Sequence, residues 1–229
     1  SVLNQTLENF ELLVIDDGST DNSISLVKKY SFYDKRIRII EKKNGGTGSA
    51  LNVGFSEARG QYGTWVSSDD DRHPESFSRM FNMIENNDIQ LCFTSYHSQR
   101  FALDWRSYSH NSALPVRNEY GFNHDRKPTN KEFVVNDWVQ LNEKHCHSGV
   151  NFMFSMELKN LCGPYLNVPG EDYHMSVLMA INSENRVGYI DQPLGWHRFP
   201  PNSLTATDPK CTLEAENKTR KMITEWLGE

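Results

Sequence analysis

The chain is 229 residues long, 37% hydrophobic and 24% charged, with a net charge of −6 and a pI near 5.8. This is the composition of a globular protein with a sizeable core, and it excludes nucleic acid as the main partner, which would call for a basic face. No apolar run approaches the ~18 residues that span a bilayer, and the opening residues do not read as a signal peptide.

Residues 1–7 read as the tail of a helix. Phe10–Ile15 is a compact apolar run that stops at Asp16-Asp17-Gly18-Ser19, the pattern of a buried parallel strand entering a turn. Ser19 to Ser23 offers N-caps for a helix with a stripe of Ile24, Leu26, Val27 and Tyr30. A second strand, Ile37–Ile40, leads through Lys42-Lys43-Asn44-Gly45-Gly46-Thr47-Gly48 into a helix over 49–59. The third strand, Tyr62–Val66, runs into Ser67-Ser68-Asp69-Asp70-Asp71. A helix over 76–86 presents Phe77, Met80, Phe81 and Ile84, and Ile89–Thr94 is a fourth strand.

This alternation predicts an α/β fold, a mostly parallel sheet with helices on both faces. Over 101–144 the periodicity lapses, which reads as loops shaping a second pocket. Trp105 and Trp138 are ligand contacts to test there, with core packing the plainer reading. Cys146–Phe154 regains strand character; His145 and His147 flank Cys146 without the further ligands that a zinc site needs. A helix over 155–161 stops at Cys162-Gly163-Pro164, and Gly170-Glu171-Asp172 leads to a helix over 175–181. Val187–Ile190 reads as an edge strand, Gly195–Pro201 as a polar-aromatic turn, and 214–227 as an amphipathic helix. The four cysteines (Cys92, Cys146, Cys162, Cys211) are scattered, which points to reduced thiols and a cytoplasmic protein. The whole reads as one continuous domain, with a first half over 1–95 and a second over 96–229.

In such sheets ligands bind outside the carboxyl ends of the strands. Asp16-Asp17, Asn44-Gly45-Gly46 and Asp69-Asp70-Asp71 all fall at that edge. Three adjacent carboxylates repel one another and cannot be buried unpaired. Oxygen donors of this kind suit Mg²⁺ or Mn²⁺ bridging to phosphates. Singly, each cluster has a plainer reading: a solvated acidic turn, an Asx turn, a strand–helix loop. Their convergence on one edge favours a site.

Ser1-Val2-Leu3-Asn4-Gln5-Thr6, Val14-Ile15-Asp16-Asp17-Gly18-Ser19-Thr20-Asp21, the segment Asn44 to Gly54, the acidic cluster and Gly170-Glu171-Asp172 together resemble the family 2 glycosyltransferases with the GT-A fold, in order and roughly in spacing. The resemblance implies inverting transfer of a sugar from a nucleoside-diphosphate donor, usually a UDP-sugar, to an acceptor hydroxyl. The acceptor class is a polysaccharide, a lipid-linked sugar or a protein, and the place is the cytoplasm or, peripherally, the inner face of a membrane. Asp16 and Asp17 would lie by the base or ribose, and Asn44, Gly45 and Gly46 would let backbone approach the donor. Asp69 and Asp70 would face the nucleotide. Asp69 and Asp71, with His197, would hold Mn²⁺ or Mg²⁺ against the departing diphosphate. Asp172 would be the general base, with Glu171 the second choice; the pair also fits a helix N-terminus, where carboxylates are favoured.

Three features depart from the family pattern. The family's usual opening strand would precede Ser1. A second register of the acidic cluster puts Ser67 in place of the first Asp and uses Asp69 and Asp70. Pro200 stands where a His often follows Arg198 by two residues. Two other function classes remain to be separated. A dinucleotide-binding oxidoreductase needs G-x-G-x-x-G after the first strand, which Asn44–Gly48 does not supply. A non-catalytic nucleotide- or sugar-binding domain of the same fold differs from the enzyme in lacking metal-dependent nucleotide binding.

Overall fold

A computed structural model describes residues 1–99, 116–118, 121–123, 131–136, 151–198 and 213–228. After a short 3-10 turn at Val2–Asn4 come β1 (Leu12–Asp16), α1 (Ser23–Tyr33), β2 (Ile37–Glu41), α2 (Thr47–Glu57), β3 (Tyr62–Gly63), β4 (Asp71–Arg72), α3 (Ser76–Asn87) and β5 (Leu91–Gln99). β6 (Val116–Asn118), β7 (Gly121–Asn123), β8 (Glu132–Val135) and β9 (Phe152–Ser155) follow. The chain ends with α4 (Met156–Cys162), α5 (Glu171–Asn182), β10 (Val187–Arg198) and α6 (Leu213–Leu227). The expected contacts Trp105 and Trp138, with His145, Cys146, His147 and Phe199–Pro201, lie outside the described residues.

β1 and β2 pair in parallel as one small sheet. The larger sheet runs β3-β9-β5-β10-β4, with β6 and β7 beyond β5 and β8 on β10. Its longest pairing, β5 with β10, is parallel; β9, β8, β4 and β3 join antiparallel. Period-two alternation splits the core between its faces. Leu91, Phe93, Phe152, Phe154, Val187 and Tyr189 pack with Leu158 of α4 and with Tyr173, Val177 and Ala180 of α5. The intervening Cys92, Met153 and Ile190 pack with Phe77, Met80, Met83 and Ile84 of α3. Helices thus cover both faces, as expected.

Three elements differ from the sequence reading. β1 was expected to be buried, yet all five of its residues are partly exposed. Among the described residues it pairs with β2 alone. The third strand shrinks to Tyr62–Gly63, paired with Phe154–Ser155; Thr64 then bonds through its hydroxyl to Phe152 O and Trp65 O takes the Arg72 guanidinium at 3.0 Å. The expected edge strand is instead β10, twelve residues long and flanked by β5 on one side and β8 and β4 on the other. The apparent turn at Gly195–Arg198 is its second half. Register shifts on both sides of Pro193 accommodate a residue that lacks an N–H donor.

Candidate active site

Two loops meet at the end of the small sheet. Asp17, one residue beyond β1, accepts hydrogen bonds from Gly45 N at 3.0 Å and Gly46 N at 2.8 Å, and pairs with the Lys42 ammonium. Burial pushes its carboxyl up, but Lys42 and the two N–H groups outweigh that and hold it below the usual carboxylate range. Asp17 therefore shapes the Asn44-Gly45-Gly46 loop. Asp16, half-buried at the strand end, makes among the described residues a single long side-chain contact, 3.4 Å from Ser19 N, which leaves acceptor capacity for a ligand. Gly18, at φ +79, brings the turn so near that a Cβ there would lie 2.9 Å from Asn44 N.

α2 joins these loops to the second half of the chain. Ser49 N donates to Asn167 Oδ1 at 3.1 Å. Asn52 reads the Tyr165 backbone in both directions, donating to its O at 2.9 Å and accepting from its N at 2.7 Å. The Tyr165 hydroxyl and the Trp65 indole N–H are both buried, without hydrogen bonds of normal geometry. Burial raises the Tyr165 phenol well above its ordinary range, and the charges of Asp172 and Glu171 add to the shift. The tyrosine thus stands beside the acidic pair as a neutral donor.

Glu171 and Asp172 occupy the first turn of α5, behind Gly170 at φ 88. A helix N-terminus favours carboxylates, yet desolvation wins here. Glu171 is 7% exposed, and burial, with repulsion from Asp172, pushes it up to about 7. Burial also raises Asp172; the Tyr173 N–H at 2.7 Å and the nearby His197 offset part of this, while the Asp70 charge adds to it. Since the folded state holds the Glu171 proton more tightly than the unfolded state does, its contribution is fully present below pH 4.5 and is lost as pH rises to about 7. Glu171→Gln is expected to match wild type near pH 5 and exceed it near pH 8 by about 3 kcal/mol at most, read from urea unfolding. Equal stability at pH 8 would show that Glu171 ionises in the fold without cost.

The acidic cluster lies against the far end of β10. Asp70, 9% exposed, accepts from Arg198 N at 3.1 Å and meets His197 Nδ1 at 3.1 Å. The Arg198 side chain bonds to Asp69 O. Asp71 pairs with Trp196 across β4 and β10 and caps its neighbour's N–H at 2.9 Å. Beneath them Arg72, 3% exposed, is pulled down to about 10 by burial, which the charges of Asp70 and Asp71 only partly offset. Asp69, Asp71 and His197 do not form a three-ligand cluster; no group of three His, Cys, Asp or Glu that could hold a metal occurs among the described residues. Asp70 turns inward to fix His197 and the strand end, whereas Asp69 stays partly exposed. One or two carboxylates suffice for a cation that takes its other ligands from phosphates and water.

Asp70, His197, Asp172, Glu171, Tyr165 and Trp65 thus converge, and Asn52, Asn167 and the Gly45–Gly46 loop link them to Asp16 and Asp17. Sequence reasoning missed Lys42, Trp65, Arg72 and Tyr165. Arg72, next to three carboxylates, was the one with a legible signal.

Comparison with known proteins identifies the family and the fold. A family model described as glycosyl transferase family 2 matches residues 1–159. The chain is 29% identical over 217 residues to the uncharacterized glycosyltransferase EpsJ of Bacillus subtilis, covering 93% of this chain and 60% of that protein. It is 42% identical over 97 residues to an uncharacterized glycosyltransferase of Rickettsia conorii, covering 42% of this chain and 16% of that one. Among solved structures, S. aureus TarS 1-349 in complex with UDP-GlcNAc superposes with a TM-score of 0.66 at 17% identity, over 98% of this chain and 65% of that one. GalNAc-T7 with UDP, GalNAc and Mn²⁺ gives 0.56 at 12% identity, over 82% of this chain and 38% of that one. The chain therefore spans about 60% of the length of EpsJ, and the GT-A fold expected from its motifs is the fold of these neighbours. The chain belongs to glycosyl transferase family 2.

Proposed function

We propose that this chain transfers a sugar from a nucleoside-diphosphate donor, a UDP-sugar, to an acceptor hydroxyl with inversion at the anomeric carbon. The observation that carries this is the raised Asp172 carboxyl, set close enough to His197 and Asp70 for their charges to shift it. A proton acceptor thus lies near the acidic cluster. Asp172 takes the proton of the acceptor hydroxyl as that oxygen bonds to the anomeric carbon. The bond from that carbon to the diphosphate oxygen breaks, and the nucleoside diphosphate leaves with the electron pair. A bound Mn²⁺ or Mg²⁺ would neutralise charge growing on the diphosphate, and Asp69 would hold it in the register that uses Asp69 and Asp70. Asp70 positions His197, Asp16 takes the base or ribose, and Asp17 holds the glycine loop open to the donor. Relatives named as glycosyltransferases and a fold neighbour solved with UDP-GlcNAc support the donor class.

Calorimetric titration of UDP, with Mn²⁺ and then with EDTA, tests the reading. Binding should need the metal and weaken about 10-fold or more on Asp69→Ala, while Asp71→Ala leaves it nearly unchanged. Loss on Asp71→Ala alone would assign the other register. Metal-independent binding of equal strength would favour a binding domain without catalysis.

A further inference from the structure

The outward face of α1 is apolar and basic at once. Leu26, Tyr30, Phe32 and Tyr33 are 52, 56, 72 and 84% exposed, four of the six large hydrophobic residues so exposed among the described residues. Leu26, Tyr30 and Tyr33 recur at helical spacing as one exposed stripe, whereas Ile24 and Val27, expected on one stripe with Leu26 and Tyr30, are the less exposed. Phe32 and Tyr33 meet edge to face at 5.1 Å, and the Lys35 ammonium lies 5.9 Å over the Phe32 ring. Such a patch on a globular surface marks an interaction site.

Charge selects the partner. Residues 23–36 hold Lys28, Lys29, Lys35 and Arg36 against Asp34 alone, a net +3 within a chain of −6. Asp34 is spent on Arg36, and Glu41 pairs with Lys28 at 2.7 Å, so the patch keeps a net +2 with Glu41 counted. Self-association face to face would bring the same positive patch against itself. An anionic bilayer surface complements it: lysines meet the headgroups while tyrosine and phenylalanine rings enter the interface, where amphipathic aromatics settle.

We infer that the α1 face carrying Leu26, Tyr30, Phe32, Tyr33, Lys28, Lys29 and Lys35 is a peripheral docking surface for an anionic lipid bilayer. It stands independently of the transfer reaction, since none of these residues belongs to the site described above. The test is co-sedimentation of the full chain with vesicles of phosphatidylcholine alone and of phosphatidylcholine mixed one to one with phosphatidylglycerol. The expected result is binding to the mixed vesicles only, reversed by salt. Lys28→Glu with Lys29→Glu and Lys35→Glu should lower it about 10-fold or more, and Phe32→Ser with Tyr33→Ser by a similar factor. UDP titration and circular dichroism on the same variants report whether the fold is intact; these side chains are exposed, so both should match wild type. No binding to mixed vesicles by folded protein overturns the inference. So does equal binding to both vesicle types, or a concentration-dependent dimer abolished by the Phe32 and Tyr33 changes.

Discussion

Asp172→Asn is expected to lower kcat for sugar transfer about 10³-fold, the usual size of a lost general base, while KM for the donor changes little. The substitution keeps the shape of the side chain and its acceptor for the Tyr173 N–H, so it removes the proton acceptor without opening the site. Glu171→Gln should cost far less, because Glu171 sits at about 7 and is partly protonated near neutrality. The pH profile supplies a second readout. Burial and the Asp70 charge raise Asp172, so wild-type kcat should fall on acidification at a higher pH than an ordinary aspartate would set. Asp172→Asn should lose that acid limb. If Glu171→Gln proves the more damaging change, the two roles are reversed.

The second large effect is structural. Gly48→Ala is expected to destabilise the chain by about 3 kcal/mol or more, at the upper end of overpacking costs. Helix propensity argues the other way, since Ala in a helix interior is favoured over Gly by about 1 kcal/mol. Geometry decides. A Cβ at residue 48 would lie 1.9 Å from Leu166 O and 2.8 Å from Leu166 C, and a backbone carbonyl cannot swing aside as a side-chain tip can. The same loop holds Asn167 and Tyr165 to α2, so its displacement would also disturb the acidic pair. At Gly45 the nearest atoms to a Cβ are the flexible ends of Ser49 and Lys42, and Gly45→Ala should cost clearly less. Urea unfolding of both variants gives the comparison; a Gly48→Ala chain as stable as wild type would mean the loop moves freely from α2.

The glycine loop, the acidic cluster and the Glu171-Asp172 pair were legible because each ends or begins a regular element and breaks an apolar pattern abruptly. Helix positions were legible for the same reason: α3 carries Phe77, Met80 and Ile84 toward one core cluster at helical spacing. Long-range pairing was not. Nothing local marks Val187–Ile190 as the start of the central strand, because burial on both faces leaves no alternation to read. The role of Asp70 was hidden likewise, since its partner His197 is 127 residues away. Among three consecutive aspartates, sequence cannot say which turns inward; the Arg198 N–H and His197 do so here.

The strand order β3-β9-β5-β10-β4 carries a consequence for the chain as a material object. β5, from the first half, lies between β9 and β10 of the second, and β4 closes on β10. Neither half owns all the strands of the larger sheet. Severing the polypeptide once between β7 and β8 should therefore yield two pieces that remain clasped and renature only when mixed, so that their reunion can serve as a split reporter whose signal is the regained fold.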